Sequence, residues 1–347
     1  METEKLWQLY DPDMPSFLQA AAQTALVQRL KNVGMNCGCE YTSFPRFREQ
    51  AKYTRFAHSV GVGLIVWHFT HDKAQALAGL AHDVATPVFA HVIDFLRGDH
   101  LSQETTEAGT AAMIAASEEW QEMLHRNGLT IFDVEDYHRY PIADNDAPRL
   151  SADRLEYSLG NMLHYGIRSF DDVARYYREL TVINNEAGQE ELAFCRGETA
   201  LDFARGCLAC SEIYVSDEDR YAMQALAELV GQSIEQGVLA EKDLYRTEPE
   251  IIAKWEASPV FLRYWRQFCT LCTIETCREK PEGPGWRQIP AKKRMIDPLI
   301  VEQGRASAVF PDFAQALTEF RGQRQELWLR GMSDTGNHTT VSLEFLQ

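Results

Sequence analysis

Apolar residues recur every three or four positions along most of the chain, the spacing of one buried helix face. PSFLQAAAQTALVQRLKNVGM opens after Pro12 and Pro15 and closes at Gly34, so it reads as a helix. A looped NCGCEYTSFPRF leads to a helix containing Arg55 and His58, whose Gly61 and Gly63 permit close packing of a neighbour. KAQALAGLAHDVA is the next helix. Thr86-Pro87 interrupts the pattern; with Thr86 as N-cap and Pro87 at the first helical position, PVFAHVIDFL starts a new helix. ETTEAGTAAMIAASEEWQEMLHRNG reads as one helix ended by Gly128, and TIFDVEDYHRYPIADNDAP as a connector with a short helical turn. RLSADRLEYSLGNMLHYG, DFARGCLACSEIYV, DRYAMQALAELVGQSIEQG and EPEIIAKWEAS supply further helices. Strand character is confined to the end, in GWRQIPAKKRMIDPLI and the partly alternating TTVSLEFL.

The expectation is a mainly α protein with a small strand-containing elaboration at its C-terminal end. Residues 1–200 form the core and residues 201–347 pack on it as helical and C-terminal elaboration. A chain of 347 residues can bury a sizeable interior. Its formal charge of -17 excludes an extended nucleic-acid surface, which needs clustered cations, but leaves room for a local phosphate pocket. There is no apolar run near the ~20 residues of a membrane span and no N-terminal signal pattern, so the expected setting is cytoplasmic and away from membranes. The eight cysteines are then reduced. Cys207-x-x-Cys210 and Cys269-x-x-Cys272 could together offer four thiolates to zinc. Both pairs sit in apolar segments without a Gly-rich knuckle, which favours core thiols; Cys37-x-Cys39 is taken as loop packing.

Histidines and a carboxylate stand where leucines would serve the pattern. AGLAHDVATPVF has nothing solvent-like on either side of His82-Asp83, and a buried carboxylate needs a partner or a metal. His58 lies near the start of its helix and His82 near the end of the next. A short turn at His71-Asp72 makes these helices neighbours, which can bring those ends side by side. Two imidazoles and a carboxylate are a sound partial shell for a divalent ion, and a carboxylate from ADRLEY would complete four ligands.

QRLKNVG, RFAHSVGVGLIV, LAGLAHDVATPVFAHVID and ADRLEY, in that order, resemble the HD superfamily of metal-dependent phosphohydrolases. The branch they resemble most is that of the deoxynucleoside triphosphate triphosphohydrolases, over roughly residues 25–165. The resemblance implies an HD-domain helical bundle holding one divalent ion through His58, His82, Asp83 and Asp153. Mixed nitrogen and oxygen ligands suit Mn, Fe, Ni, Zn or, less well, Mg. It also implies that Arg55, one helical turn before His58, clamps phosphate and neutralises charge during catalysis. Tyr157 would lie near substrate sugar and phosphate, and Arg154 would reach a second phosphate oxygen. His91 matches the last histidine of the HD segment as a pocket and catalytic residue, with Asp94 placed to orient it.

Two positions depart from that branch. Thr86 stands where it carries a histidine, and Gln103-Glu104 stands where it carries His-Glu. Glutamine does not exchange a proton usefully, so either His91, Glu104 or the nearby His100 takes the proton-transfer role, or the substrate has a better leaving group and needs less general-acid help. The expected function is metal-dependent hydrolysis of a phosphate ester or anhydride in a small phosphorylated molecule, a nucleotide, with deoxynucleoside triphosphates as the branch's usual substrates. The alternative is a catalytically altered, nucleotide-binding or sensory HD module. Apolar YWRQFCTLCTIETC and TTVSLEFL favour a homo-oligomer, most simply a dimer. The basic patch between them, Lys292, Lys293 and Arg294, is either a solvated turn, a contact to an acidic neighbour or an anion site.

Overall fold

The helix Arg55–Thr70 organises the molecule, and its composition says why. Residues 57–66 are buried on every side, as expected of a segment apolar around its full circumference. Thr54 caps its start by accepting the Ala57 N–H, and His71 ends it in the left-handed conformation at φ 52°. Asp72 then caps Lys73–Ala81 by accepting from Ala74 and Gln75. That one-turn join makes the two helices antiparallel partners. At Gly63 a methyl group would stand 3.0 Å from Leu80 Cβ, so the glycine sets how closely they approach.

This arrangement comes from a computed structural model, which describes residues 2–48, 52–98, 101, 109–334 and 340–342. Two apolar cores share the chain. The first joins Arg55–Thr70 and Lys73–Ala81 to Ala152–His164, Phe170–Arg178 and Gly197–Tyr214. The second gathers the segment around Phe89 with Asp217–Glu235, Glu248–Glu256 and Pro259–Cys269, where Phe89 stacks on Trp255 at 5.7 Å and Trp255 packs on Trp265 at 5.2 Å. His58 and His82 therefore stand on elements of the first core, while His91 follows a turn anchored in the second. The described fold is mainly helical. No described helix is long and apolar enough to cross a membrane.

Several elements differ from the periodicity reading. The helix from Pro15 to Gly34 is broken into Ser16–Ala22, Ala25–Arg29 and a short 3-10 turn, because Thr24 takes up an extended conformation. The Thr24 hydroxyl bonds to Ala21 O and accepts from Trp120 Nε1. Thr86-Pro87 does not start a helix. Residues 87–91 form turns with Phe89 and Ala90 at positive φ, and the helix is Val92–Arg97. The long segment ending at Gly128 holds two described helices, Thr110–Ala116 and Glu118–Arg126, split by the cap Ser117.

Strands are more widely spread than the C-terminal end. β1 Leu180–Asn184 and β2 Glu190–Phe194 form an antiparallel hairpin. β2 pairs in parallel with β4 Leu299–Ile300, which pairs with β5 Gly304–Arg305. A second sheet has the order β3 Leu271–Cys277, β6 Trp328–Asp334, β7 Thr340–Ser342. GWRQIPAKKRMIDPLI, the expected strand region, is extended chain without regular pairing until β4, apart from one bridge at Arg287.

Candidate metal centre and its pocket

His58, His82 and Asp83 each offer a ligand atom within 4.8 Å of the others, and all three are buried. Asp153 Oδ1 approaches the same point, 3.0 Å from His58 Nε2 and 3.8 Å from His82 Nε2. The local sequence explains the convergence. His58 is in the first turn of its helix, His82 caps the end of the antiparallel partner, and Asp153 begins Ala152–His164 behind the Ser151 cap.

The other ring nitrogens are tied back. His58 Nδ1 donates to Glu156 Oε2 at 2.7 Å, and His82 Nδ1 donates to Gly79 O at 2.6 Å. Carboxylate and carbonyl oxygens only accept, so both imidazoles present Nε2 to the cluster. Such tethering fixes tautomer and ring direction in metal-binding histidines. The donor set therefore fits a divalent ion.

The carboxylates are oriented too. Asp83 accepts from Arg55 Nη1 at 3.0 and 3.2 Å and from the Thr86 hydroxyl at 2.6 Å. Burial alone would raise the Asp83 pKa, but Arg55 and the two imidazoles hold it well below the usual carboxylate range. Burial likewise opposes ionisation of Asp153, and His58 overcomes it.

Glu156 was not singled out from the sequence, although Asp-x-x-Glu puts it one turn after Asp153 on the same helix. It is buried and shared among His58, Tyr53 (OH to Oε2, 2.5 Å) and Tyr10 (OH to Oε1, 3.5 Å). Gly61 makes the space: a methyl group there would lie 2.6 Å from Glu156 Cγ and 2.7 Å from its Oε1. Gly61→Ala is therefore expected to push Glu156 off His58, costing about 1–3 kcal/mol as overpacking does. Melting temperature and metal affinity should fall together; an unchanged pair of values would contradict this account.

In the metal-free chain His58 has an unusual proton affinity. Burial lowers it, yet hydrogen bonds to Asp153 and Glu156 more than compensate and lift the pKa from 6.5 to about 10. A folded-state value above the unfolded one adds stability that is fully present below about 6.5 and is lost as pH rises through about 10. The melting temperature of chelator-treated protein should thus fall as pH rises across that window, as the His58 contribution is lost. Binding at Nε2 must release a proton, so metal affinity should rise with pH. Calorimetry with and without chelator checks both; metal affinity that falls as pH rises contradicts the assignment.

A cavity of about 630 Å³ opens on the cluster. Arg55, His91, Arg154 and Tyr157 all line it, as do Lys292 and Arg294. His91 Nδ1 donates to Asp94 at 2.8 Å, and Arg294 Nη2 lies 3.1 Å from His91 Nε2. Burial pushes His91 down to about 4 against the pull of Asp94, with Arg294 lowering it further, so the ring is neutral at pH 7. Arg154 bonds to Arg149 O at 2.7 Å, to Asn145 Oδ1 at 2.6 Å and to Asp144 at 3.1 Å. The Arg294 guanidinium stands 5.9 Å from the Tyr157 ring centroid. Tyr137, in the expected connector, packs its ring on His82 at 4.9 Å. Glu104, Gln103 and His100 lie outside the described residues.

The Thr86 hydroxyl is spent on Asp83 and not on a helix N-terminus. The cysteines stand elsewhere: Cys207 and Cys210 are buried in the first core and Cys269 packs on the second. Cys37 does line the cavity, with burial raising its thiol to about 12.

No protein-family model matches the chain. It is 23% identical over 244 residues to the uncharacterised protein YdhJ of Bacillus subtilis, covering 70% of this chain and 71% of that one. It is also 23% identical over 234 residues to the metal-dependent phosphohydrolase cns2 of Cordyceps militaris, covering 65% of this chain and 64% of the relative. Among solved structures, a phosphohydrolase of Bacteroides thetaiotaomicron superposes with a TM-score of 0.61 at 13% identity, covering 93% of this chain and 97% of that one. At that identity the likeness is one of fold.

Proposed function

We propose that this chain is an HD-type hydrolase that uses one divalent ion to cleave a phosphate ester or anhydride, and that its substrate is a nucleotide. The observation that carries this reading is the convergence of His58, His82, Asp83 and Asp153 with both histidine Nδ1 atoms tied back. The fold likeness and the name of the Cordyceps militaris relative support the same chemistry.

An ion held there supplies a water of lowered pKa and positive charge for the phosphoryl group. The chain's residues do the positioning. Glu156 and the Gly79 carbonyl set the ring directions, while Arg55 and Thr86 set the carboxylate of Asp83. Arg55 also brings positive charge beside the reacting phosphate, where preorganised electrostatics contribute most. Proton transfer falls to His91, oriented by Asp94, or to Glu104. Tyr157 and Arg154 line the space for sugar and further phosphate.

The test is a screen of nucleoside mono-, di- and triphosphates with Mn, Fe, Ni, Zn and Mg, reading phosphate, pyrophosphate and triphosphate release. Metal-dependent release from at least one nucleotide is expected. Tight calorimetric binding of a nucleotide with no product over hours would instead establish a sensory or binding module.

A further inference from the structure

The helix Ala152–His164 leads away from the metal cluster along the cavity wall. Asp153, Tyr157 and Asn161 recur at every fourth residue, so they share one face of it, and all three line the cavity. At roughly 1.5 Å of rise per residue, Asn161 stands about 12 Å along the axis from Asp153. A phosphate held at the cluster therefore leaves room for the rest of its molecule to lie along this face, past Tyr157.

Two oxygens in this part of the cavity wall have no hydrogen-bond partner. Asn161 is buried and its Nδ2 donates to the Tyr214 hydroxyl at 2.7 Å, yet its Oδ1 meets no donor. An acceptor left so is costly until a donor reaches it. Asp219, in the first turn of Asp217–Glu235, lines the same cavity and keeps only 7% of its surface exposed. Its Oδ1 accepts from the Cys39 thiol at 3.6 Å, while no described group bonds to Oδ2. Burial pushes Asp219 up to about 8 against the pull of Cys39 and Arg220, so at pH 7 the carboxyl group donates as well as accepts. Asn36, in the same wall, is by contrast engaged at both ends. Its Oδ1 accepts from the Tyr165 hydroxyl at 3.1 Å and its Nδ2 meets His164 Nε2 at 2.8 Å. Tyr165 is thereby fixed in the wall one turn after Asn161, and Met223 adds apolar surface.

We propose that Asn161 Oδ1 and Asp219 Oδ2 hold the base of the substrate nucleotide by hydrogen bonds to its polar edge. An amide oxygen only accepts, so Asn161 selects a base that presents an N–H group, and Asp219 meets a second polar atom of the same ring system. A largely apolar cavity with a few placed polar groups fixes a ligand's orientation in this way. Both are then specificity-determining residues, at the end of the molecule remote from the phosphate. The assignment rests on the hydrolase reading for the phosphate end of the ligand; its own basis is two unpaired oxygens in one cavity.

The probes are adenosine, guanosine, cytidine and uridine, which lack phosphate, and ribose 5-phosphate, which lacks a base. Each is titrated calorimetrically into the full metal-free chain. At least one nucleoside is expected to bind. Asn161→Ala and Asp219→Ala should each weaken it about three- to tenfold, the scale of one lost hydrogen bond, and leave the affinity for ribose 5-phosphate unchanged. Asp219→Asn keeps an oxygen for Cys39 and a polar group toward the cavity, so it should recover most of the loss. Melting temperatures identify a variant that misfolds. In that case an analogue of the bound nucleoside without the N–H donor of its base, titrated into wild type, should bind more weakly by a similar factor. Folded Asn161→Ala and Asp219→Ala proteins with wild-type nucleoside affinity overturn the assignment. So does equal weakening of nucleoside and ribose 5-phosphate, an analogue that binds as well as its parent, or a wild-type chain that binds no nucleoside at millimolar concentration. Nucleotide turnover that Asp83→Asn abolishes, but that both alanine variants retain at wild-type KM, would sink the base site alone. Nucleoside binding weakened by both variants, in a wild type that turns over no nucleotide, would sink the hydrolase reading and leave the base site standing.

Discussion

Asp83→Asn is expected to purify with little or no bound metal and to lose at least about 10³-fold in turnover, because a metal centre contributes several kcal/mol of barrier reduction. The choice of asparagine matters. Asp83 is the buried partner of Arg55, with side-chain exposures of 4% and 9%. Alanine would leave the guanidinium buried without its carboxylate, and breaking such a pair typically costs about 3–5 kcal/mol. Asp83→Ala could therefore lose activity simply by unfolding. Asparagine retains an oxygen for the Arg55 and Thr86 donors while giving up the charge that attracts a cation. Elemental analysis beside a melting curve separates the two effects. A folded Asp83→Asn protein with wild-type metal content and wild-type turnover would remove this cluster from the chemistry.

The central pair of helices and the residues that meet at their ends were legible because the signals are local. Apolar periodicity, a short turn at His71-Asp72 and the ionisable doublet in an apolar stretch are all properties of neighbouring residues. Thr86 was misjudged because Thr-Pro is a good helix opening by local rules, whereas the Asp83 carboxylate is three residues back and takes the hydroxyl. β1 and β2 were overlooked although Leu180–Asn184 is rich in β-branched residues and Gly188 sits in the following turn at φ 74°. The helical context on both sides outweighed that short signal. Arg294 was visible only as a charge. That it meets His91, 203 positions earlier, depends on how the irregular residues 288–298 cross from one core to the other, which no local pattern encodes.

Glu156 gives the second large expected effect, and its two substitutions should differ in kind. Glu156 Oε2 accepts from both His58 Nδ1 and Tyr53 OH, while Oε1 meets the Tyr10 hydroxyl at 3.5 Å. Alanine leaves the His58 and Tyr53 donors buried without an acceptor, at about 1–3 kcal/mol each. A marked fall in melting temperature is expected for Glu156→Ala, even in the absence of metal. Glutamine can keep its carbonyl oxygen where Oε2 lies and turn its amide toward Tyr10, whose hydroxyl can accept as well as donate. Glu156→Gln should therefore fold, with His58 still directed at the cluster by a neutral acceptor. What it loses is the negative charge behind the imidazole, which strengthens Nε2 as a ligand. Loss of such a supporting partner typically weakens metal binding by about 10–100-fold. Chelator competition at fixed pH measures that change, and the melting curve reports whether the fold survived. A folded Glu156→Gln protein that holds metal as tightly as wild type would mean that His58 does not depend on Glu156 for its affinity, and that the network serves packing instead.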